Sequence, residues 1–348
     1  MAATPLSTKT RVALLPELLA WCVLALVVRG STNGGSGDWT TADTNVTYKT
    51  IFVDWSGKQG NFTAIQAAID SVPHNNRRWF CIYVMAGVYR EKVNIPSDKP
   101  YIIIKGQNRR MTEVVWDDHE NVAQSPTFTS MADNIVVKSI SFRNSYNNPV
   151  NNSNPRVPAV AALISGDKSY FYRCGFYGLQ DTLWDNQGRH YFESCSIQGA
   201  VDFIFGRGQS IYVNCTISVL GEALGAGISG IITAQGRDSP SDASGFLFVD
   251  CTVDGTGTTL LGRPWRAYAR VIFYRSNLTS IVLPIGWNAW HYVGQESRLT
   301  FMESGCYGGG ANTTGRVSWE KKMSGAAVEE LISTSFIDSL GWLDNLPL

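Results

Sequence analysis

The chain has no surplus of charge. Its 348 residues carry 29 Lys+Arg against 29 Asp+Glu, so the basic footprint that a nucleic-acid binder needs is missing. Charge of either sign is sparse, at 17%, whereas 44% of residues are hydrophobic, which supplies a large core. Histidine occurs only 4 times. No His/Cys/Asp cluster has metal-ligand spacing, so no metal and no other cofactor is expected. Long apolar runs are absent too. The run at residues 18–28 follows Pro16 and Glu17 and is too short to cross a bilayer, so no stable membrane insertion is expected. No Asn-Gly separates the candidate strands, which removes the strongest short hairpin signal.

What is present begins with a leader. Lys9 and Arg11 precede an apolar stretch, residues 13–28, and small polar residues start at Gly30 and Ser31. This is the layout of a secretory signal peptide over residues 1–30. Residues 31–48, rich in Gly, Ser and Thr, are expected to be flexible, leaving residues 49–348 as one domain. Cys22 falls in the leader. Cys81, Cys174, Cys195, Cys215, Cys251 and Cys306 remain, an even set that permits disulfides without fixing their pairing. Sequons begin at Asn45, Asn61, Asn151, Asn214, Asn277 and Asn312, as in a secreted glycoprotein. Asn214 lies in a strand-like run and is expected to stay unmodified.

Six segments share one pattern: "NIVVKSISF" (134–142), "SYFYRCGF" (169–176), "HYFESCSI" (190–197), "SIYVNCTI" (210–217), "FLFVDCTV" (246–253) and "VIFYRSNL" (271–278). Each alternates apolar and polar residues and then places a small residue two positions before another apolar one. Those small residues are Ser139, Cys174, Cys195, Cys215, Cys251 and Ser276. One strand about every 20 residues, with no helical segment between, predicts an all-β parallel β-helix rather than an antiparallel sandwich. Residues 62–72 have a helical period through Ile65, Ala68, Ile69 and Val72, which predicts an N-terminal capping helix. Residues 144–158 read as a long surface loop.

The repeat gives meaning to two aspartates. Asp181 lies seven residues after Cys174, and Asp202 seven residues after Cys195. The same phase on consecutive coils, about 4.8 Å apart, makes them neighbours. Two carboxylates that close do not both ionise easily, so one pKa rises and the pair titrates as a unit. An ionised nucleophile or base beside a protonated acid is a hydrolytic arrangement.

Five blocks carry a resemblance: "GVYREKV" (87–93), "LQDTLW" (179–184), "VDFIFG" (201–206), "ITAQGR" (232–237) and "LGRPW" (261–265). In this order they resemble the plant pectin methylesterases (pectinesterases), over residues 50 to about 319. The resemblance implies a right-handed parallel β-helix that hydrolyses galacturonate methyl esters of pectin. It implies Asp202 as nucleophile, Asp181 as acid and then base, Arg263 as the partner that keeps Asp202 ionised, and Gln180 as an oxyanion donor. It implies Trp265, Trp287, Tyr89 and Phe205 along the sugar-binding cleft, and it favours a Cys215–Cys251 bridge, with a ladder of free, buried thiols as the alternative. The implied setting is a monomer in the plant cell wall, with pectin as its partner and a proteinaceous pectinesterase inhibitor as a second one. The inhibitor-like pro-domain of the family is not expected, because fewer than 50 residues precede the match.

One departure stands out. The family's "QAVAL" is "PAVAAL" here (158–163), with Pro158 where a second oxyanion donor would fall. That substitution motivates an alternative, a non-catalytic pectin-binding relative. A β-helical pectate lyase or polygalacturonase is the other alternative. "VVWDDHE" (114–120) superficially resembles a lyase calcium motif, but no Arg-x-Pro-x-x-Arg and no Gly-His-Gly is present.

Overall fold

The structure is a computed structural model that describes residues 39–41, 47–150, 154–323 and 325–347. All of these lie within one unit, Gly37–Leu348. The expected signal peptide and the sequons at Asn45 and Asn151 fall outside the described residues.

Three short strands make one coil. Ser169–Tyr172, Gly175–Tyr177 and Leu183–Asp185 are followed by Arg189–Glu193, Ser196–Gly199 and Val201–Gly206. Each strand pairs in parallel with its counterpart one coil on: Ser169 with His190, Gly175 with Ser196, and Leu183 with Ile204. Repeated along the chain, this builds sheets of 11, 8 and 7 strands, a right-handed parallel β-helix. The longer spacings hold insertions between strands, such as the 3₁₀ turn Gly221–Leu224. Trp39–Thr41, within the segment expected to be flexible, is instead a strand. It closes the edge of the 11-stranded sheet antiparallel to Thr47–Val53, where unpaired backbone groups attract a partner.

Equivalent residues stack inside. Phe171, Phe192, Tyr212, Phe248 and Phe273 form a continuous pile with ring centroids 4.9, 4.5, 4.6 and 4.5 Å apart. Such pairs add about 0.5–1.5 kcal/mol each beyond their area burial. Between the 11- and 8-stranded sheets the chain turns through a left-handed residue: Ser139, Arg173, Ser194, Asn214, Asp250 and Arg275, with φ from 45 to 56°. Asn214 is therefore not in a strand but at an exposed corner, because its strand ends at Val213.

The residue after each corner points inward. Ser141 pairs with Gly175, which sets Ile140, not Ser139, opposite Cys174. The row runs Ile140, Cys174, Cys195, Cys215, Cys251, Ser276, and pairing of Tyr274 with Ser304 adds Cys306. The favoured bridge between Cys215 and Cys251 is not formed, and the six cysteines among the described residues are free thiols, the alternative arrangement. Each thiol of the row donates to a carbonyl one coil back, Cys215 to Phe192 O at 3.5 Å and Cys251 to Tyr212 O at 3.3 Å.

The predicted helix is six residues long, Ile65–Asp70, with Ile65, Ala68 and Ile69 buried. It is shorter than its period because Phe62 pairs with Val53 as a β-bridge. The Glu91 carboxylate accepts from the Ile65 and Gln66 amides at 2.8 and 3.0 Å. The buried Lys99 ammonium donates to the carbonyls of Ile69, Asp70 and Val72 at 3.1, 2.8 and 2.7 Å. The 144–158 loop is pinned as well as long: Asn148 is buried and donates to Gly178 O and Gln198 Oε1. At the C-terminus, Val328, Ile337, Trp342 and Leu346 pack on the outer face of the 11-stranded sheet, over Val136, Tyr170, Ile211 and Leu247.

Candidate active site

The site lies on the seven-stranded sheet, where two left-handed residues interrupt the strand alternation. Asp181 has φ 60° and Asp202 φ 47°. Gln180 pairs with Val201, and the Asp181 amide donates to Val201 O at 3.0 Å. Leu183 pairs with Ile204, so both aspartates hold the same position on successive coils. On its other side the strand Val201–Gly206 slips register. Val201 faces Ile231 but Ile204 faces Thr233, so Asp202 and Phe203 together oppose one residue. Such a bulge re-aims a side chain. It turns Asp202 away from its buried neighbours Phe203 and Ile204, yet leaves it only 8% exposed.

Arg263 answers that buried charge. It stands in the strand Thr259–Pro264, in the row that runs from Phe205 through Ala234. Its Nε donates to Asp202 Oδ1 at 2.8 Å, and its second nitrogen donates to Oδ2, a fork that fixes the carboxylate's plane. The Trp290 ring lies 3.8 Å from the guanidinium carbon and covers the fork's far side. Burial leaves the Asp202 pKa above its ordinary value, with the Arg263 hydrogen bonds and charge offsetting part of that rise. Among the described residues Asp181 has no bonded cation. Burial, followed by the neighbouring Asp202 charge, pushes it up to about 7, against a smaller opposing pull from Arg263. The pair thus holds one carboxylate fixed by an arginine and one that carries a proton in weakly acidic solution.

Gln180 is half-buried, and its side-chain amide makes no hydrogen bond among the described residues. Its carbonyl accepts from the Ala159 amide at 3.1 Å, which sets Pro158 beside it on the adjoining coil. The Val160 amide is committed to Ser125 Oγ at 3.1 Å. Neither of the two backbone donors that follow Pro158 is therefore free to replace a missing side-chain amide.

Aromatic residues run along the sheet three positions after the aspartates. Trp184 pairs with Phe205 and stacks on it at 5.1 Å, and Trp265 meets Phe205 edge-on at 5.9 Å. Trp184 and Trp265 are partly exposed, whereas Phe205 is nearly buried between them. Two expected cleft residues lie elsewhere. Trp287 is fully buried between Phe273 and Phe301, because its bridge to Gly262 turns it inward. Tyr89 is buried in the early coils, its hydroxyl donating to the carbonyls of Val53 and Met85. Trp290 and Trp184 were not singled out from sequence, although Trp184 closes the block "LQDTLW" and Trp290 lies three residues after Trp287.

A family model described as Pectinesterase matches residues 51–339. The chain belongs to the pectinesterase family. It is 62% identical over 301 residues to "Probable pectinesterase 29" of Arabidopsis thaliana, covering 86% of this chain and 90% of that protein. It is 60% identical over 301 residues to "Probable pectinesterase 55" of the same plant, covering 86% and 91%. Among solved structures, pectin methylesterase from carrot superposes with a TM-score of 0.79 at 28% identity, over 86% of this chain and 96% of that one. The pectinesterase reaction, hydrolysis of pectin methyl esters, is the activity of this chain. Among the described residues no His/Cys/Asp/Glu group is arranged to hold a metal.

Proposed function

We propose that this pectinesterase works through Asp202 as nucleophile, with Asp181 as acid and base. The observation that carries the reading is the Arg263 fork on Asp202 beside a carboxyl group whose pKa stands at about 7. The ionised Asp202 attacks the ester carbonyl carbon, and the developing oxyanion takes a hydrogen bond from the Gln180 amide. Collapse breaks the bond to methoxide. Asp181 gives its proton to that oxygen and methanol leaves, with the uronyl group joined to Asp202 as a mixed anhydride. Asp181, now ionised, takes a proton from water as the water attacks the uronyl carbon. The C–O bond to Asp202 breaks, freeing a uronic acid and the Asp202 carboxylate. Trp184 and Trp265 offer flat apolar faces to the sugars beside the scissile ester.

The leader-like residues 1–30 and the plant relatives support secretion to the cell wall. A monomer acting on homogalacturonan, subject to a proteinaceous inhibitor, fits that setting. The test is methanol release from methylated pectin by the purified chain and by Asp202→Asn. The variant is expected to lose turnover while keeping its circular dichroism. Activity within twofold of the parent would remove Asp202 from its role. One observation favours a second reading, a pectin binder without turnover: the Ala159 and Val160 amides are already engaged beside Pro158. A silent parent that Pro158→Gln restores is the result that reading requires.

A further inference from the structure

The even balance of charge over the whole chain hides a local excess. Where the 11-stranded sheet turns into the 8-stranded one, five cations gather on a face distinct from the seven-stranded sheet that carries Asp181 and Asp202. Lys105 and Lys138 are register neighbours on adjacent coils. Arg173 follows at the corner one coil on. Arg109 and Arg110 come from the turn between the strands Ile102–Gly106 and Thr112–Trp116. Arg109, Arg110 and Arg173, with Gln107, Asn108 and Ser139, line a depression of about 560 Å³.

None of the five forms a salt bridge among the described residues, although the arginines Arg90, Arg143, Arg189, Arg207 and Arg275 elsewhere on the coils all do. The carboxylate nearest in register is Glu193, and it accepts from the Tyr170 hydroxyl at 2.7 Å. The cations are instead held ready. Arg109 donates to Ser194 O at 3.2 Å. Arg173 and Lys138 lie over the Tyr172 ring at 5.0 and 5.8 Å, and Lys105 over Tyr83 at 5.9 Å. Burial first, and then the charge of Lys105, lower the Lys138 pKa, with Cys81 and Glu193 opposing more weakly.

An unpaired cationic trough in a neutral protein suits an extended polyanion. This enzyme makes one. On the reading above, each turnover turns a neutral methyl ester into a carboxylate on the same linear chain. We infer that the trough lined by Arg109, Arg110 and Arg173 is a second glycan site that binds de-esterified polygalacturonate, the enzyme's own product, away from the catalytic cleft. Carboxylates recurring once per sugar meet cations recurring once per coil. Binding there tethers the enzyme to stretches it has already processed while the cleft samples neighbouring esters. Nucleic acid is a poorer fit, because the chain as a whole carries 29 Lys+Arg against 29 Asp+Glu and so lacks the basic excess such a binder needs.

The test compares the parent with Lys105→Gln/Arg110→Gln/Arg173→Gln, three exposed positions outside the catalytic machinery. Affinity for polygalacturonate is measured by titration at low and high salt, and methanol release is measured separately on a short methylated oligomer. The triple variant is expected to bind about tenfold more weakly at low salt, with a flatter salt dependence, and to keep parental turnover on the oligomer. Unchanged polygalacturonate affinity in the variant would overturn the inference. So would parental binding that ignores salt, or a sulfated glycan of equal charge binding as well as the uronate. A parent that binds polygalacturonate through the trough but releases no methanol would overturn the catalytic reading and leave this site standing.

Discussion

Replacing Asp181 by asparagine should make the protein more stable, and by an amount that depends on pH. In the folded protein Asp181 is pushed from an ordinary 3.8 to about 7 by burial and by the Asp202 charge. The native state therefore holds this proton more tightly than the unfolded chain does. Below about pH 4 both states are protonated and the site has no effect. Between pH 4 and 7 the unfolded chain ionises first, so the parent loses stability as pH rises. Above pH 7 the loss is complete. At about 1.4 kcal/mol per pH unit, it reaches about 4 kcal/mol as an upper bound. The asparagine amide in its place stays neutral and escapes the loss. With an unfolding entropy of about 2.1 cal/mol/K per residue over roughly 300 residues, that gap corresponds to about 6 °C in Tm. Calorimetric scans of parent and Asp181→Asn from pH 4 to pH 8.5 should show curves that coincide at the acid end and separate steadily to a plateau. A constant gap across the series, or a parent that is the more stable at pH 8, would refute the argument that Asp181 is a buried, repelled carboxylate.

Gln180→Ala should lower kcat by about 10²–10³, because the amides after Pro158 are already committed. Adding Pro158→Gln should recover part of that loss, and a Gln180→Ala enzyme near parental rate would mean that another group holds the oxyanion. The thiols of the inner row should resist alkylation in the native protein and react only on unfolding, with the partly exposed Cys306 first. Peptide mapping without reduction should find no Cys215–Cys251 bridge.

The coil was legible because its signal is periodic. Cys174 and Cys195 are 21 residues apart, and the register keeps that spacing. The shared phase of Asp181 and Asp202 followed from the same count. Where the count relied on residue size it slipped. Ser139 looks like a member of the small row, but the corner takes a left-handed residue and the next side chain turns inward, so Ile140 fills the place. Identity alone also failed for the aromatics. Trp287 and Trp290 are three residues apart, and only the bridge at Gly262 decides that one is core and the other lies over Arg263. Tyr89 sits in a family motif, but its hydroxyl is spent on two backbone carbonyls of the early coils. The C-terminal cover left no signal, because its anchors share no common period: Val328 lies in the short helix Gly325–Ile332, whereas Ile337, Trp342 and Leu346 flank 3₁₀ turns. The bulge at Asp202, which gives the carboxylate its exposure, depends on pairing with a strand about 30 residues later and has no local signature.

The clamped helix bears on how the chain is made. A six-residue helix has too few internal hydrogen bonds to persist alone, and both its ends are held by charges that lie downstream, Glu91 and Lys99. On a ribosome, residues 65–70 emerge well before either clamp does. The helix therefore waits, its segment unformed, until about residue 100 has been synthesised and the carboxylate and ammonium arrive from opposite ends. The start of the molecule is fastened by what comes after it, so truncated chains that stop short of Lys99 lack the bolt for their own first turn.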